Sequence, residues 1–99
     1  MIRQLSILDA VADDVAEAWM WYEEQQIGLG DQFLDEFYRI VDHLQSYNES
    51  GVRYKKQYRQ ARLLRFPFVI MYELETNLLI VYAVVHTSRH PKKRIRRKT

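Results

Sequence analysis

Partway along the chain the spacing of apolar side chains changes from a helical period to a strand period, and this change limits the folds available. From Ala10 to about Gln26, the residues Val11, Val15, Ala18, Trp19 and Tyr22 recur at intervals of three and four. That spacing puts them on one side of an amphipathic helix. Asp9 is the expected N-cap, and Asp13, Asp14 and Glu17 fall in the early turns, where the helix dipole favours negative charge. A second stripe follows in Phe33, Phe37, Ile40, Leu44 and Tyr47, reinforced by Leu34 and Val41. Between the two stripes lies Gly28-Leu29-Gly30. Gly28 is suited to a left-handed helix end and Asp31 to capping the next helix, so the pair reads as an antiparallel hairpin.

The rest of the chain is strand-like. Met1 to Leu8 alternates at the N-terminus, and Tyr58 to Phe66 alternates after the hairpin. Pro67 breaks that segment and is a candidate bulge position. Phe68 to Leu74 is rich in β-branched and aromatic residues, Glu75-Thr76-Asn77 suits a tight turn, and Leu78 to His86 is apolar on both faces, as a central strand requires. The order predicts an α+β fold: a strand, a helical hairpin, then a three-stranded antiparallel meander, with the helices on one sheet face. Residues 1–91 form a single domain in this reading, and residues 92–99 a basic C-terminal tail. Apolar residues make up 47% of the 99, enough for one core. The longest apolar run, Leu78 to Val85, is far short of the roughly 20 residues a membrane span needs. No secretory signal is readable at the N-terminus. Cysteine is absent, which suits a reducing cytoplasm.

Net charge is +2, but the two halves differ sharply. Residues 1–50 carry two basic side chains against eleven acidic ones, a balance of −9. Residues 51–99 carry thirteen basic side chains against Glu73 and Glu75, a balance of +11. The basic excess continues into the tail, so an anionic partner is a better explanation than internal neutralisation.

Three segments, in order, carry a family resemblance. They are Trp21-Tyr22-Glu23-Glu24-Gln25 with Gly28-Leu29-Gly30 and Phe33; Leu64-Arg65-Phe66-Pro67-Phe68 leading to Ile70 and Tyr72; and Val85-His86 followed by Ser88-Arg89-His90-Pro91-Lys92-Lys93. Together they resemble the RelE/ParE toxins over nearly the whole chain. The resemblance implies the toxin of a type II toxin–antitoxin module, of the kind tied to plasmid stabilisation, held by a cognate antitoxin. Some members of that superfamily cut mRNA on the ribosome without a metal; others poison DNA gyrase. One fold serves both, so the site must decide between them.

Metal-free RNA cleavage needs a base for the 2′-hydroxyl, an acid for the leaving oxygen and cations for the phosphate charge. By resemblance, Arg89 matches the arginine just past the last strand in cutting members, and Lys55, Lys56 and Arg59 match their basic residues ahead of the meander. His86 is the acid–base candidate, since from the end of a central strand its side chain could reach the open sheet face beside Arg89 and His90; the favoured alternative is a structural histidine that caps the strand through a hydrogen bond. Two features depart from the cutting members. Val69 stands where they carry an arginine in the third strand, and Ile95 stands where they carry a C-terminal tyrosine; no tyrosine follows Tyr82. The expected function is therefore a ParE-like toxin that binds a nucleic-acid-handling target such as DNA gyrase. The alternative is a ribosome-dependent, metal-independent mRNA endonuclease in which His86 and Arg89 are catalytic. The expected target- or antitoxin-binding residues are Lys55, Lys56, Arg59, Arg62, Arg65, Arg89, Lys92, Lys93, Arg94, Arg96 and Arg97. Neither metal nor cofactor is expected. Trp19 and Tyr22 read as core, Trp21 as free to touch a partner and His43 as surface.

Overall fold

Both apolar stripes form helices, and each buries the face its spacing marks. The computed structural model describes residues 2–46 and 59–87. Its elements are β1 (Gln4–Ile7), α1 (Asp9–Gln25), α2 (Leu29–Ser46), β2 (Arg59–Arg62), β3 (Phe68–Leu74) and β4 (Leu78–His86). The sheet order is β1-β4-β3-β2. β2, β3 and β4 form the antiparallel meander, and β1 pairs in parallel with β4. That pairing makes β4 an interior strand, which is why it is apolar on both faces.

The helices cover one face of the sheet. Val11, Val15 and Ala18 of α1, with Phe33, Phe37, Val41 and Leu44 of α2, join Phe68, Ile70, Leu79, Val81 and Val84 in one buried cluster. Burying each large apolar side chain of this set contributes about 1.5–3 kcal/mol. A smaller cluster of Val69, Met71, Ala83 and Val85 lies on the other face.

A single irregularity decides which residues face which way. Met71 pairs with Ala83 but Tyr72 pairs with Val81, so Tyr82 is the extra residue of a β-bulge in β4. Val81 and Val84, three positions apart, consequently both point to the helices. The bulge lies there and not at Pro67, which occupies the bend before β3.

The element ends differ from the sequence reading for local reasons. Leu8 occupies the N-cap position of α1 without a side-chain cap, and Asp9 is the first helical residue. Gly28 takes the left-handed conformation, with φ of 93°. α2 begins at Leu29, so Asp31 lies inside its first turn; its Oδ1 accepts a hydrogen bond from Trp19 Nε1 at 3.0 Å. Glu23 clamps the link, its two carboxylate oxygens accepting from the backbone N–H of Gly28 at 2.8 Å and of Gly30 at 2.9 Å. β2 stops at Arg62, well before Phe66, because the chain turns away through residues 63–67. β1 is shorter than expected and is tied to the end of α2: Arg3 N–H donates to the Gln45 carbonyl at 2.9 Å, and Gln45 Nε2 donates to the Arg3 carbonyl at 2.7 Å.

Candidate functional site

The cations singled out in the sequence divide into two sets. Lys55, Lys56, Arg89, Lys92, Lys93, Arg94, Arg96 and Arg97 lie outside the described residues, as do His90 and the tail. The other three, Arg59, Arg62 and Arg65, stand close together in the chain and point in different directions. Arg62 is exposed and pairs with Val69, which pairs with Val85, so it belongs to the face away from the helices. Arg59 is half-buried and pairs with Tyr72, on the helix side of the edge strand. Arg65 leaves the sheet altogether. Its Nε stands 3.6 Å from Glu36 of α2, its Nη1 donates to Gln32 Oε1 at 3.2 Å, and its guanidinium lies 5.6 Å from the centre of the Phe66 ring.

Glu36 organises this corner and was not singled out in the sequence. Only 3% of it is exposed, among the apolar residues of the α2 stripe. Its carboxylate accepts hydrogen bonds from the backbone N–H of Leu64 and, at 3.3 Å, of Arg65. The available signal was its position: a carboxylate set between Phe33, Phe37 and Ile40 would need buried donors.

His86 does not face the open side of the sheet, as a catalytic role would require. It pairs with Phe68 and lies two residues beyond Val84, on the helix side, where its ring meets Phe68 edge-on at a centroid distance of 5.2 Å. The bulge at Tyr82 is the cause: by shifting the alternation one position, it turns the strand end over. His86 therefore closes an aromatic row in which Phe68 meets Phe33 at a tilt, with centroids 5.2 Å apart, and Phe33 meets Phe66 edge-on at 5.5 Å. Tyr22 belongs to that row, 4.9 Å from Phe66, and Trp19 is half-buried against α2. Trp21 is 48% exposed and His43 lies at the surface, both as the spacing predicts.

The open face beyond Arg62 is apolar. Val69 is 3% exposed within its cluster with Met71, Ala83 and Val85. Next to it, the Tyr82 hydroxyl donates to Glu73 Oε1 at 2.6 Å. Among the described residues, then, this face presents an arginine, an apolar centre and a tyrosine–glutamate pair. None of these is a general base beside a cationic cluster.

A second surface feature lies on the hairpin. An apolar hollow of about 370 Å³ opens between α1 and α2, with Ala12, Ala16 and Trp19 on one wall and Leu34 and Tyr38 on the other. Across Tyr38 a second hollow, of about 490 Å³, is lined by Leu5, Asp35, Arg39 and Asp42 among others. Among the described residues, no helix is long and apolar enough to cross a membrane.

The fold is a helical hairpin laid on a meander, with a parallel N-terminal strand at the edge of the sheet. The family model described as "ParE toxin of type II toxin-antitoxin system, parDE" matches residues 5–91, and the chain belongs to that family. Among solved structures it is similar to a chain described as the chromosomal ParDE TA system from P. aeruginosa. That match has a TM-score of 0.72 at 14% identity and covers 88% of this chain and 98% of the other, a likeness of fold. No curated protein matches the chain.

Proposed function

We propose that this protein is a ParE-like toxin of the cytoplasm that acts by binding a nucleic-acid-handling target, with DNA gyrase as the superfamily's precedent, and that a cognate antitoxin neutralises it. The observation that carries this reading is Val69. Where RNA-cutting relatives carry an arginine, this chain has a 3%-exposed valine in an apolar patch. An arginine there would stabilise phosphate charge in the transition state, whereas a valine contributes only packing. The inward turn of His86 against Phe68 supports the same reading, since an acid or base must reach the substrate's proton. The charge balance of +11 in residues 51–99 supplies long-range attraction toward an anionic target.

The test runs two assays side by side: gyrase supercoiling and cleavage of mRNA in a translating ribosome system. Inhibition of supercoiling with intact mRNA is the expected result. If the purified protein cut mRNA and Arg89→Ala abolished the cutting, the binding reading would be wrong.

A further inference from the structure

The edge strand β1 has one side that the function above leaves unused. Its Gln4 N–H donates to the Asn77 carbonyl at 2.9 Å and its Leu8 N–H to the Val81 carbonyl at 3.4 Å, so the main-chain groups of the even-numbered residues turn to β4. Those of the odd-numbered residues turn outward. At Arg3 they are taken by Gln45, whose carbonyl and Nε2 lie at 2.9 and 2.7 Å. At Leu5 and Ile7 they have no partner among the described residues.

A row of unpaired donors and acceptors is ordinarily blocked by charge, proline or a bulge. Gln4 to Leu8 carries no charge and no proline, and β1 pairs with β4 in unbroken register. The side chains around the edge are apolar. Of the large apolar side chains exposed among the described residues, Ile2, Leu5 and Leu8 lie on this strand or at its ends. Tyr38 lies across the hollow of about 490 Å³ beside it, so α2 leaves room next to Leu5. A phosphate backbone would accept from the two N–H groups but leave the Leu5 and Ile7 carbonyls unpaired. Another strand satisfies both.

A second copy of β1 fits in one register. With the strands antiparallel about a two-fold axis through Ser6, Leu5 of each copy faces Ile7 of the other, and each such pair exchanges two N–H···O=C bonds. Leu5 opposite Leu5 would instead set Ile7 against Arg3, whose groups Gln45 already holds. Ile7 opposite Ile7 would set Leu5 against Asp9, the first residue of α1. The fitting register also puts Leu8 opposite Gln4 and diagonal to Ile2 of the other copy, and brings Arg3 toward Asp9, a pair of opposite charge.

We propose that the outer edge of β1 docks the same edge of a second copy of this chain, joining two four-stranded sheets into one. The inference goes beyond the toxin reading and does not depend on it.

Sedimentation velocity of the full chain over a range of concentrations should show a reversible dimer. Leu5→Pro removes an outward N–H and none of the bonds to β4, and Leu5→Lys puts a charge on the edge. Each should weaken the dimer by about tenfold or more. Circular dichroism checks that both variants fold. The chain has no cysteine, so Ser6→Cys supplies one thiol per copy. Across the axis the two Ser6 Cα atoms would lie about 4.5 Å apart, within reach of a disulfide, and Ser6→Cys should crosslink on oxidation. The two Gln4 Cα atoms would lie about 14 Å apart, and Gln4→Cys should not crosslink. A chain that stays monomeric up to its solubility limit overturns the proposal, and the edge then belongs to a strand of another protein. So does a dimer in which Gln4→Cys crosslinks as fast as Ser6→Cys, or one that neither Leu5 variant weakens.

Discussion

Removing the Glu36 carboxylate should cost far more than removing the arginine that pairs with it. Glu36 is buried and accepts main-chain hydrogen bonds from Leu64 and Arg65, which hold the segment between β2 and β3 against α2. Hydrogen bonds to a charged acceptor contribute about 1.5–3 kcal/mol each. Taking the lower figure for both, because the Arg65 N–H lies at 3.3 Å, gives a loss of about 3 kcal/mol for Glu36→Ala. For a domain of this size that lowers Tm by about 12–24 °C. The ion pair is a different matter: the Arg65 side chain is 56% exposed and its Nε is 3.6 Å away, so Arg65→Ala should cost under about 1 kcal/mol. Glu36→Gln keeps an acceptor but loses the charge and should fall between the two. Urea unfolding followed by tryptophan fluorescence, with Trp19 and Trp21 as reporters, measures all three. Equal losses for Glu36→Ala and Arg65→Ala would refute the argument, since the ion pair and not the main-chain capping would then hold the corner.

Two further perturbations discriminate between local causes. A Cβ at Gly30 would meet the Trp19 carbonyl oxygen at 2.6 Å, so Gly30→Ala must push the helices apart and should cost about 1–3 kcal/mol in the same unfolding experiment. Gly28→Ala has open space around it and only the left-handed backbone against it, about 1 kcal/mol. His86→Ala should lose about 1 kcal/mol of stability with its edge contact to Phe68, yet leave growth arrest on overexpression unchanged.

Much of the fold was legible because the chain punctuates itself clearly. The apolar periods identified both helices, and β3 and β4 begin and end where the sequence reading places them, since Pro67 and the Glu75-Thr76-Asn77 turn bound them. Helix starts were displaced by one residue in α1 and by three in α2. Asp9 and Asp31 are competent caps, but the turns ahead of them closed by other means, the second through Glu23. β2 was overextended because an alternating pattern continues through residues 63–66 although the chain has already turned, and the cause of the turn is a carboxylate on α2. The position of Glu36 in the apolar stripe marked it as a buried carboxylate, but neither its partners nor those of Glu23 were legible, because each acts on main-chain N–H groups several to many residues away and main-chain donors leave no mark in sequence.

The candidate site was harder to read than the fold, and the bulge at Tyr82 shows why. Register along a strand has a period of two, so one inserted residue reverses every side chain beyond it. Val84, Val85 and His86 all lie beyond it, which carries the histidine to the aromatic row and leaves Val85 beside Val69 and Arg62. The same one-residue shift thus takes from the open face its best acid–base candidate and keeps that face apolar around Arg62. Arg59 and Arg65 are drawn off in turn, one by strand alternation and the other by Glu36. Among the described residues, this surface offers a partner an apolar centre, the exposed Arg62 and the Tyr82–Glu73 pair. The hairpin, on the other side of its own core, offers the opposite combination of an apolar floor and an acidic rim.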